Sequence, residues 1–347
     1  MTEPPPQSRY HRQTILPGFG PQAEAALAAS HVMIVGMGAL GCPAADLLAR
    51  AGIGTLSLVD RDLVELTNLQ RQTLYSERDV GRPKAEAAAA RLREVNRSIR
   101  IHELVEDFAP TNADALLVTH PRPHVVLDCT DNFQTRYLIN DACVKHAVPL
   151  VYGGAVGSQG VQLSIRPGIT PCLRCLFPDA PAPGASPTCD TAGIFAPVSA
   201  IIGATQAADA IKLIVAPRTP PLGTTMLQFD LWSNQRTRID LKDARDAACP
   251  CCGRRVFDFL SMTVEATILC GRNAVQLPAP STSPVDLAAV AARLASVGTF
   301  TMQSNATLTG TLSDGTPLTL FKDGRAIVGN TTDAAVARSV YARYVGL

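Results

Sequence analysis

Apolar and polar positions fall into blocks along this chain, and the blocks change character twice. Residues 31–35, HVMIV, are a short apolar run that predicts a buried strand. They lead into GMGALG and then CPAADLLARAG, a helical pattern with Pro43 near its first turn, where proline is tolerated. TLSLVD, ending at Asp60, predicts a second strand. A polar segment, RDLVELTNLQRQTLYSERDVG, follows it. PKAEAAAARLREVN then predicts a helix, IRIHEL a strand, and HVVLD a strand running into CTDN. Strands alternating with helices describe a doubly wound, mostly parallel sheet, and near-continuous apolar strands such as VMIVG and VVLD fit burial on both faces.

From about residue 149 the pattern loosens. PLVYGG and GVQLSIR read as strands between segments rich in Pro, Gly and Cys, and APAPGASPT reads as a flexible loop. SAIIGATQAADAIKLIV predicts a helix, and TTMLQFDL and NQRTRIDL close this part as strands. After CPCCG the composition shifts again. The expected division is a domain over 1–260 and a small α+β domain over 261–347 whose role is unknown. In that tail VEATIL predicts a strand, PVDLAAVAARLASVG and DAAVARSVYARYVG helices, and SDG and KDG turns. The expected fold class is α/β, a Rossmann-like sheet with this small C-terminal addition.

Length and charge narrow the function classes. At 347 residues the chain buries a full core without disulfides or metals. A formal net charge of +1 argues against a general nucleic-acid or membrane-surface binder. No continuous apolar run reaches the ~18 residues that suggest a membrane span. MTEPPPQSRYHRQ does not resemble a secretory signal, so the expected location is cytoplasmic. In that compartment ten cysteines point to metal or thiol chemistry.

Gly36-Met37-Gly38-Ala39-Leu40-Gly41 follow a strand and open a helix. Gly36 permits a tight turn, Gly38 lets backbone approach a phosphate, and Gly41 allows close helix–strand packing. The helix N-terminus favours anions. Asp60 ends the next strand, about where an acidic residue meets a ribose hydroxyl. The motif says nucleotide and leaves NAD and ATP both open; a ligand-free tight turn fits it as well. The segment Asn68-Leu69-Gln70-Arg71-Gln72 follows on the side where open α/β sheets bind ligands, with Asn68, Gln70 and Arg71 as its candidate contacts. Lys84 opens a helix, where a cation opposes the dipole, so a nearby anion such as polyphosphate is expected; a solvated surface lysine fits the same position. Asp131, with Asn132 beside it, lies past HVVLD and is a candidate for Mg²⁺, or for a turn or helix cap. Together these groups suit nucleotidyl transfer, in which cations spread charge on the α-phosphate. Hydride transfer would need neither Arg71 nor Lys84.

Cys172/Cys175 and Cys249/Cys252 form two C-x-x-C knuckles. Four thiolates make a closed, structural zinc site. The pairs lie far beyond the roughly 15–20-residue separation of a common four-cysteine pattern, so two unrelated thiol pairs remain an alternative. Cys251 is the surplus thiol of the second knuckle. Cys189, in SPTCDTAG, is a candidate acyl or sulfur acceptor, or a plain surface cysteine. Cys42, Cys129 and Cys143 read as core thiols, and Cys270 is unassigned.

These motifs coincide in order over about residues 9–255 with a known group. The chain resembles the MoeB/ThiF/HesA family, bacterial relatives of ubiquitin-activating enzymes. The resemblance rests on RYHRQ, GMGALG, LVDRDLVELTNLQRQ, GRPKAEAAAARL, DCTDN, PCLRC, TCDTAG and CPCCG. It implies a homodimer with an ATP site in each subunit and adenylation of a carrier protein's C-terminal Gly-Gly carboxylate. In that reading Asp60 holds the ribose, Asn68, Arg71 and Lys84 contact phosphates, and Asp131 supports Mg²⁺. Arg12 reaches into the neighbouring subunit's site. Cys189 matches a loop cysteine that some members use for thioester or acyl-persulfide chemistry, and the knuckles match a structural Zn²⁺ site. Ala39 stands where relatives often have glycine; its backbone N–H survives that change. The tail does not resemble a rhodanese domain, so a separate cysteine desulfurase or rhodanese is the expected sulfur donor. The carrier itself, ThiS-like or MoaD-like, is not legible. An NAD-dependent oxidoreductase and a non-catalytic carrier-binding scaffold are the alternatives.

Overall fold

Two helices outside the sequence expectation open the fold in the computed structural model, α1 (His11–Thr14) and α2 (Gly20–Ala28). The structure describes residues 9–118, 122–181, 189–216, 222–263, 266–269, 273–279 and 284–346. The expected alternation follows: β1 (His31–Val35), α3 (Gly41–Ala51), β2 (Thr55–Val59), α4 (Lys84–Val95) and β3 (Arg100–Leu104). Next come the unanticipated short α5 (Ala113–Val118), β4 (Val125–Asp128), α6 (Phe133–Lys145), β5 (Leu150–Val156) and β6 (Gln159–Ile165). Two four-residue helices, α7 (Leu173–Leu176) and α8 (Cys189–Ala192), precede the long α9 (Ala196–Val215), and β7 (Thr225–Asp230) and β8 (Gln235–Asp240) form a hairpin.

These strands make one eight-stranded sheet in the order β3-β2-β1-β4-β5-β6-β7-β8. The pairings from β3 to β5 are parallel and those from β5 to β8 antiparallel. β1, β2 and β4 are buried at every position, as strands covered on both faces should be. The strand order reverses between β1 and β4, and such switch points open a crevice at the carboxyl ends of the strands.

Helix packing follows from side-chain size. α4 buries Ala85, Ala87, Ala88, Ala89 and Leu92, a small-residue face that sits close to the sheet. α9 begins at Ala196, three residues before the expected segment, with a proline in its first turn. Over its 20 residues it is long and apolar enough to cross a membrane by length and composition, with a mean hydropathy of 1.5. Here it packs against α3, β4, β5 and β6. Gly203 makes the crossing possible, because a Cβ there would lie 2.4 Å from the Leu40 carbonyl oxygen.

The first compact unit ends at Met262 and the second begins at Thr263. The second unit holds β9 (Thr267–Leu269), β10 (Ala274–Leu277), α10 (Leu287–Leu294), β11 (Gly298–Ser304), β12 (Thr307–Leu312), β13 (Pro317–Phe321), β14 (Ala326–Gly329) and α11 (Ala334–Tyr344). Its six strands form an antiparallel sheet, β11-β12-β13-β14-β10-β9. Asp286 and Asp333 cap the two helices by accepting backbone N–H bonds. The SDG and KDG segments supply the turns on either side of β13.

Candidate functional site

The glycine-rich turn lies at the switch point. Gly36 has φ +92°, and a Cβ on it would come within 2.7 Å of the Cys129 carbonyl oxygen at the end of β4. Gly41 is packed tighter still, with a Cβ falling 2.0 Å from the Gly36 carbonyl oxygen. These two glycines are demanded by the chain itself. Gly38 differs: its Cβ would meet only the Gln72 amide, at 3.7 Å, an ordinary contact. Space over Gly38 is therefore left open by the protein. No side chain caps α3; in its first turn Cys42 N donates to the Gly38 carbonyl at 3.0 Å and Pro43 has no N–H, which leaves the Gly41 N–H as the open donor there among the described residues. Ala39 is half-buried and packs on the core.

Asp60 ends β2 beneath this turn. Its two oxygens accept from Met37 N at 2.6 Å and from Asp62 N at 2.7 Å, which ties the β2 end to the glycine turn. Burial raises its pKa above the ordinary carboxylate range, and the Lys84 ammonium opposes that rise. Lys84 is buried at the first position of α4, with Nζ 3.1 Å from Asp62 Oδ2 and its own N–H on the Asp62 carbonyl at 2.9 Å. Burial would lower its pKa, but Asp62 and Asp60 outweigh that and hold it charged. The Tyr75 hydroxyl lies 2.7 Å from Met37 O and 3.2 Å from Lys84 O, joining the turn to the start of α4.

The polar segment contributes from the same side. Asn68, buried at the end of a 3-10 turn (Leu66–Asn68), accepts from Glu65 N. Arg71 donates to Thr67 O at 2.9 Å on the surface. Gln70 is exposed, whereas Gln72 is buried beside Gly38 and its Oε1 has no hydrogen-bond partner among the described residues. The sequence places Gln72 in the ligand-side segment without a role of its own and gives no sign of Asp62 and Tyr75. All three lie within or beside the polar segment, which carries no periodicity to show which side chains turn inward.

At the end of β4, Asn132 caps α6 by accepting from Thr135 N at 2.8 Å. Asp131 makes no cap. It is exposed, its side chain makes no hydrogen bond among the described residues, and its charge is felt by Arg61 and Lys84. An exposed, uncommitted carboxylate fits a hard divalent cation.

Arg12 lies elsewhere. Its neighbours Tyr10 and Gln13 pack at the carboxyl ends of α3 and α4. Gln13 donates to Ala51 O, Asn96 donates to the Tyr10 hydroxyl, and a Cβ on Gly52 would touch the Tyr10 ring at 2.6 Å. The glycine turn is at the other end of α3, an 11-residue helix about 16 Å long.

The four knuckle thiols converge. Cys172 Sγ is 4.0 Å from Cys175 and 3.7 Å from Cys249, and Cys175 is 3.3 Å from Cys252. All four lie within 4.8 Å of one another. Tetrahedral zinc with ~2.3 Å bonds would set its sulfurs roughly 3.8 Å apart, so the set fits that ion. Without a cation, the Cys172 contact and burial push Cys175 up to about 12, and burial with the Cys175 contact pushes Cys252 to about 11. Cys251 accepts from Asn140 Nδ2 at 3.3 Å and also lies against the Cys172 thiol, beside the four rather than among them. Asn140 also receives Leu173 N, while Arg174 binds Asp141 and Asp258, so α6 holds both knuckles.

Of the remaining thiols, Cys42, Cys129 and Cys143 are buried, and burial pushes Cys42 up to about 12. Cys189 is the first residue of α8; its side chain, the loop before it and Cys270 lie outside the described residues.

A doubly wound sheet with a glycine turn at its switch point, buried Asp–Lys charges beside it and a four-thiol cluster defines a class of nucleotide-binding α/β proteins. Within that class the chain belongs to the ThiF family, whose model matches residues 10–251. The motif resemblance and this match agree. The chain is 40% identical to the sulfur carrier protein ThiS adenylyltransferase of Bacillus subtilis, over 97% of this chain and 99% of that one. It is also 40% identical to the adenylyltransferase and sulfurtransferase MOCS3 of Drosophila willistoni, over 79% of this chain and 59% of that one. Among solved structures, E. coli MccB with ATP superposes with a TM-score of 0.61 at 27% identity, covering 71% of this chain and 75% of MccB.

Proposed function

We propose that this protein uses ATP to adenylate the C-terminal carboxylate of a small ubiquitin-like sulfur-carrier protein. The observation that carries the reading is the open space over Gly38, framed by the uncapped α3 N-terminus and the buried Lys84. That is a site for the polyphosphate of a nucleotide. Both relatives named above are adenylyltransferases, and the Bacillus subtilis one is named for the sulfur carrier protein ThiS.

In this reading the backbone N–H groups from Gly38 to Gly41 receive phosphate, and Asp60 accepts from the ribose. A carrier carboxylate oxygen attacks the α-phosphorus, the bond to the bridging oxygen breaks, and pyrophosphate leaves. The carboxylate is already ionised, so no general base is needed. Lys84, Arg71 and Asn68 offset the charge that builds on the phosphates. Asp131 would help hold Mg²⁺, which would supply positive charge against the leaving pyrophosphate.

Cys172, Cys175, Cys249 and Cys252 would hold zinc through four thiolates, a ligand set that suits a structural rather than a catalytic ion. Arg12, at the far end of its own sheet, serves a second subunit's site, which makes the working form a homodimer. Cys189 takes the acyl group from the adenylate as a thioester, losing its thiol proton as AMP leaves, and a separate cysteine desulfurase or rhodanese supplies the sulfur. The setting is cytoplasmic.

The carrier we favour is ThiS-like. The ThiS adenylyltransferase match runs through the second compact unit, whereas the MOCS3 match spans 79% of the chain. Carrier-dependent exchange of labelled pyrophosphate into ATP tests the reaction. Exchange with a ThiS-like and not a MoaD-like carrier supports this assignment. ATP binding without exchange with any carrier would replace it with a scaffold role.

A further inference from the structure

Beneath the exposed Asp131 lies a buried clasp. Asp128, the last residue of β4, is fully buried, and its Oδ1 accepts from both Thr130 N (3.0 Å) and Thr130 Oγ1 (2.7 Å). Its Oδ2 has no hydrogen-bond partner among the described residues. Arg136, buried on the first turns of α6, donates from Nε (3.3 Å) and Nη2 (2.8 Å) to the Thr130 carbonyl. Its Nη1 reaches the Tyr152 hydroxyl at 3.3 Å, and its guanidinium lies over the rings of Phe133 and Tyr152. From below, Gln206 donates to the Asp128 carbonyl at 2.7 Å and to Val151 O at 3.1 Å, which fixes the strand end.

Every polar group of Thr130 is therefore bound, and Asn132 is committed to capping α6. Asp131 sits between these two pinned residues, and its side chain makes no hydrogen bond among the described residues. Thr130 and Asp131 belong to no strand or helix, so these bonds set where the Asp131 carboxylate points. A buried carboxylate and guanidinium are a poor way to gain stability, since apolar packing does as well or better. Burial also pushes Asp128 above the usual carboxylate range, with Arg136 opposing. Such arrangements persist where they fix a working geometry.

We propose that Asp128 and Arg136 are positioning residues that hold the Thr130–Asp131 turn so that Asp131 meets the divalent cation of bound Mg-ATP. This rests on the reading of Asp131 given above. The orphan Oδ2 gives the idea a sharp signature. Asp128→Asn keeps the Oδ1 acceptor that orders Thr130, whereas Asp128→Ala removes it.

The test is calorimetric titration of the full chain with ATP at a series of Mg²⁺ concentrations. Metal content and melting temperature serve as checks of the fold. Partners that orient a metal ligand typically contribute 10- to 100-fold, so Asp128→Ala should raise the half-effective Mg²⁺ concentration roughly tenfold or more. Affinity for ATP without Mg²⁺ should stay within about threefold, because the groups proposed for the phosphates and ribose are untouched. Asp128→Asn should recover most of the loss. Arg136→Lys should shift Mg²⁺ dependence in the same direction as Asp128→Ala, because an ammonium cannot reproduce the guanidinium fork on one carbonyl.

If Asp128→Ala does not fold, Thr130→Val, which removes only the hydroxyl donor, carries the test with a shift of about threefold. Unchanged Mg²⁺ dependence in the folded variants would overturn the proposal. So would equal loss of affinity with and without Mg²⁺, which marks a purely structural role. A wild type whose ATP binding ignores Mg²⁺, with Asp131→Ala equally silent, would instead overturn the reading of Asp131 and the proposal with it.

Discussion

Lys84 Nζ sits 3.1 Å from Asp62 Oδ2, deep at the start of α4. A cation at a helix N-terminus opposes the dipole and calls for a compensating anion. Here a side chain of the protein, Asp62, supplies that anion. The pair holds a buried positive charge ready beside the glycine turn, and bound phosphate would share it.

Replacing Lys84 tests that arrangement. Lys84→Met keeps the length and the burial of the stem but removes the charge. We expect pyrophosphate exchange to fall by roughly 100-fold or more, as when one charge-stabilising group is lost, with the protein still folded. Initial-rate exchange assays with circular dichroism as a fold check would measure it. Retained exchange would move the phosphate-binding role away from Lys84.

The glycines make a second prediction, because the protein needs them for different reasons. Gly41→Ala forces a Cβ to within 2.0 Å of the Gly36 carbonyl oxygen and should destabilise the fold by about 1–3 kcal/mol or more. Gly38→Ala meets only an ordinary contact and should alter stability by under about 1 kcal/mol. It should nevertheless weaken ATP binding, because its methyl occupies the space assigned to phosphate. Denaturant melts paired with ATP titrations separate the two effects. Equal ATP affinity in Gly38→Ala would show that no ligand group uses that space.

Asp60 predicts a pH dependence. Its acceptor role needs the ionised form, and burial raises its pKa. ATP affinity should therefore begin to fall at a pH above the ordinary aspartate value of about 3.9. Stability runs the other way. The folded state binds this proton more tightly than the unfolded chain, so ionised Asp60 weighs against the fold above its raised pKa. That penalty relaxes as pH falls through it. Lys84→Met removes the opposing cation and should move the acid limb of ATP binding upward. Affinities between about pH 4 and 7 for both proteins would show it, and an unmoved limb would contradict the coupling.

The thiol cluster predicts which cysteines matter. Cys172→Ser, Cys175→Ser, Cys249→Ser and Cys252→Ser should each lower zinc content and reduce stability by at least about 2 kcal/mol. Cys251→Ser should keep the metal, since that sulfur accepts from Asn140 and lies beside the four rather than among them. Metal analysis of the five variants decides it. Metal loss in Cys251→Ser would mean that the surplus thiol is a ligand.

Legibility in the sequence followed periodicity. The glycine turn was readable because a strand, a turn and a helix meet there, and each has its own pattern. The two knuckles were visible as local spacings. Their convergence depends on α9 and the β7–β8 hairpin folding the intervening chain back, which no local rule encodes. Gln70 and Gln72 show the limit most clearly. They sit two residues apart in an aperiodic segment, and the buried neighbour of Gly38 is Gln72. The helices α1, α2 and α5 were missed because they are short or only weakly amphipathic. In the tail, SDG and KDG announced turns. The strands they join were harder to read, because Thr299, Thr301, Thr309 and Thr311 give β11 and β12 a polar face with no strong apolar alternation.

The most direct measurement is the intact mass of a purified ThiS-like carrier after incubation with this protein and Mg-ATP. The account predicts that the carrier gains one adenylate at its C-terminal glycine, with pyrophosphate released in equal amount. It further predicts that both vanish in Arg71→Ala and Asp131→Ala proteins that still hold zinc. An unmodified carrier and no pyrophosphate, with ATP demonstrably bound by the wild type, would contradict the central claim.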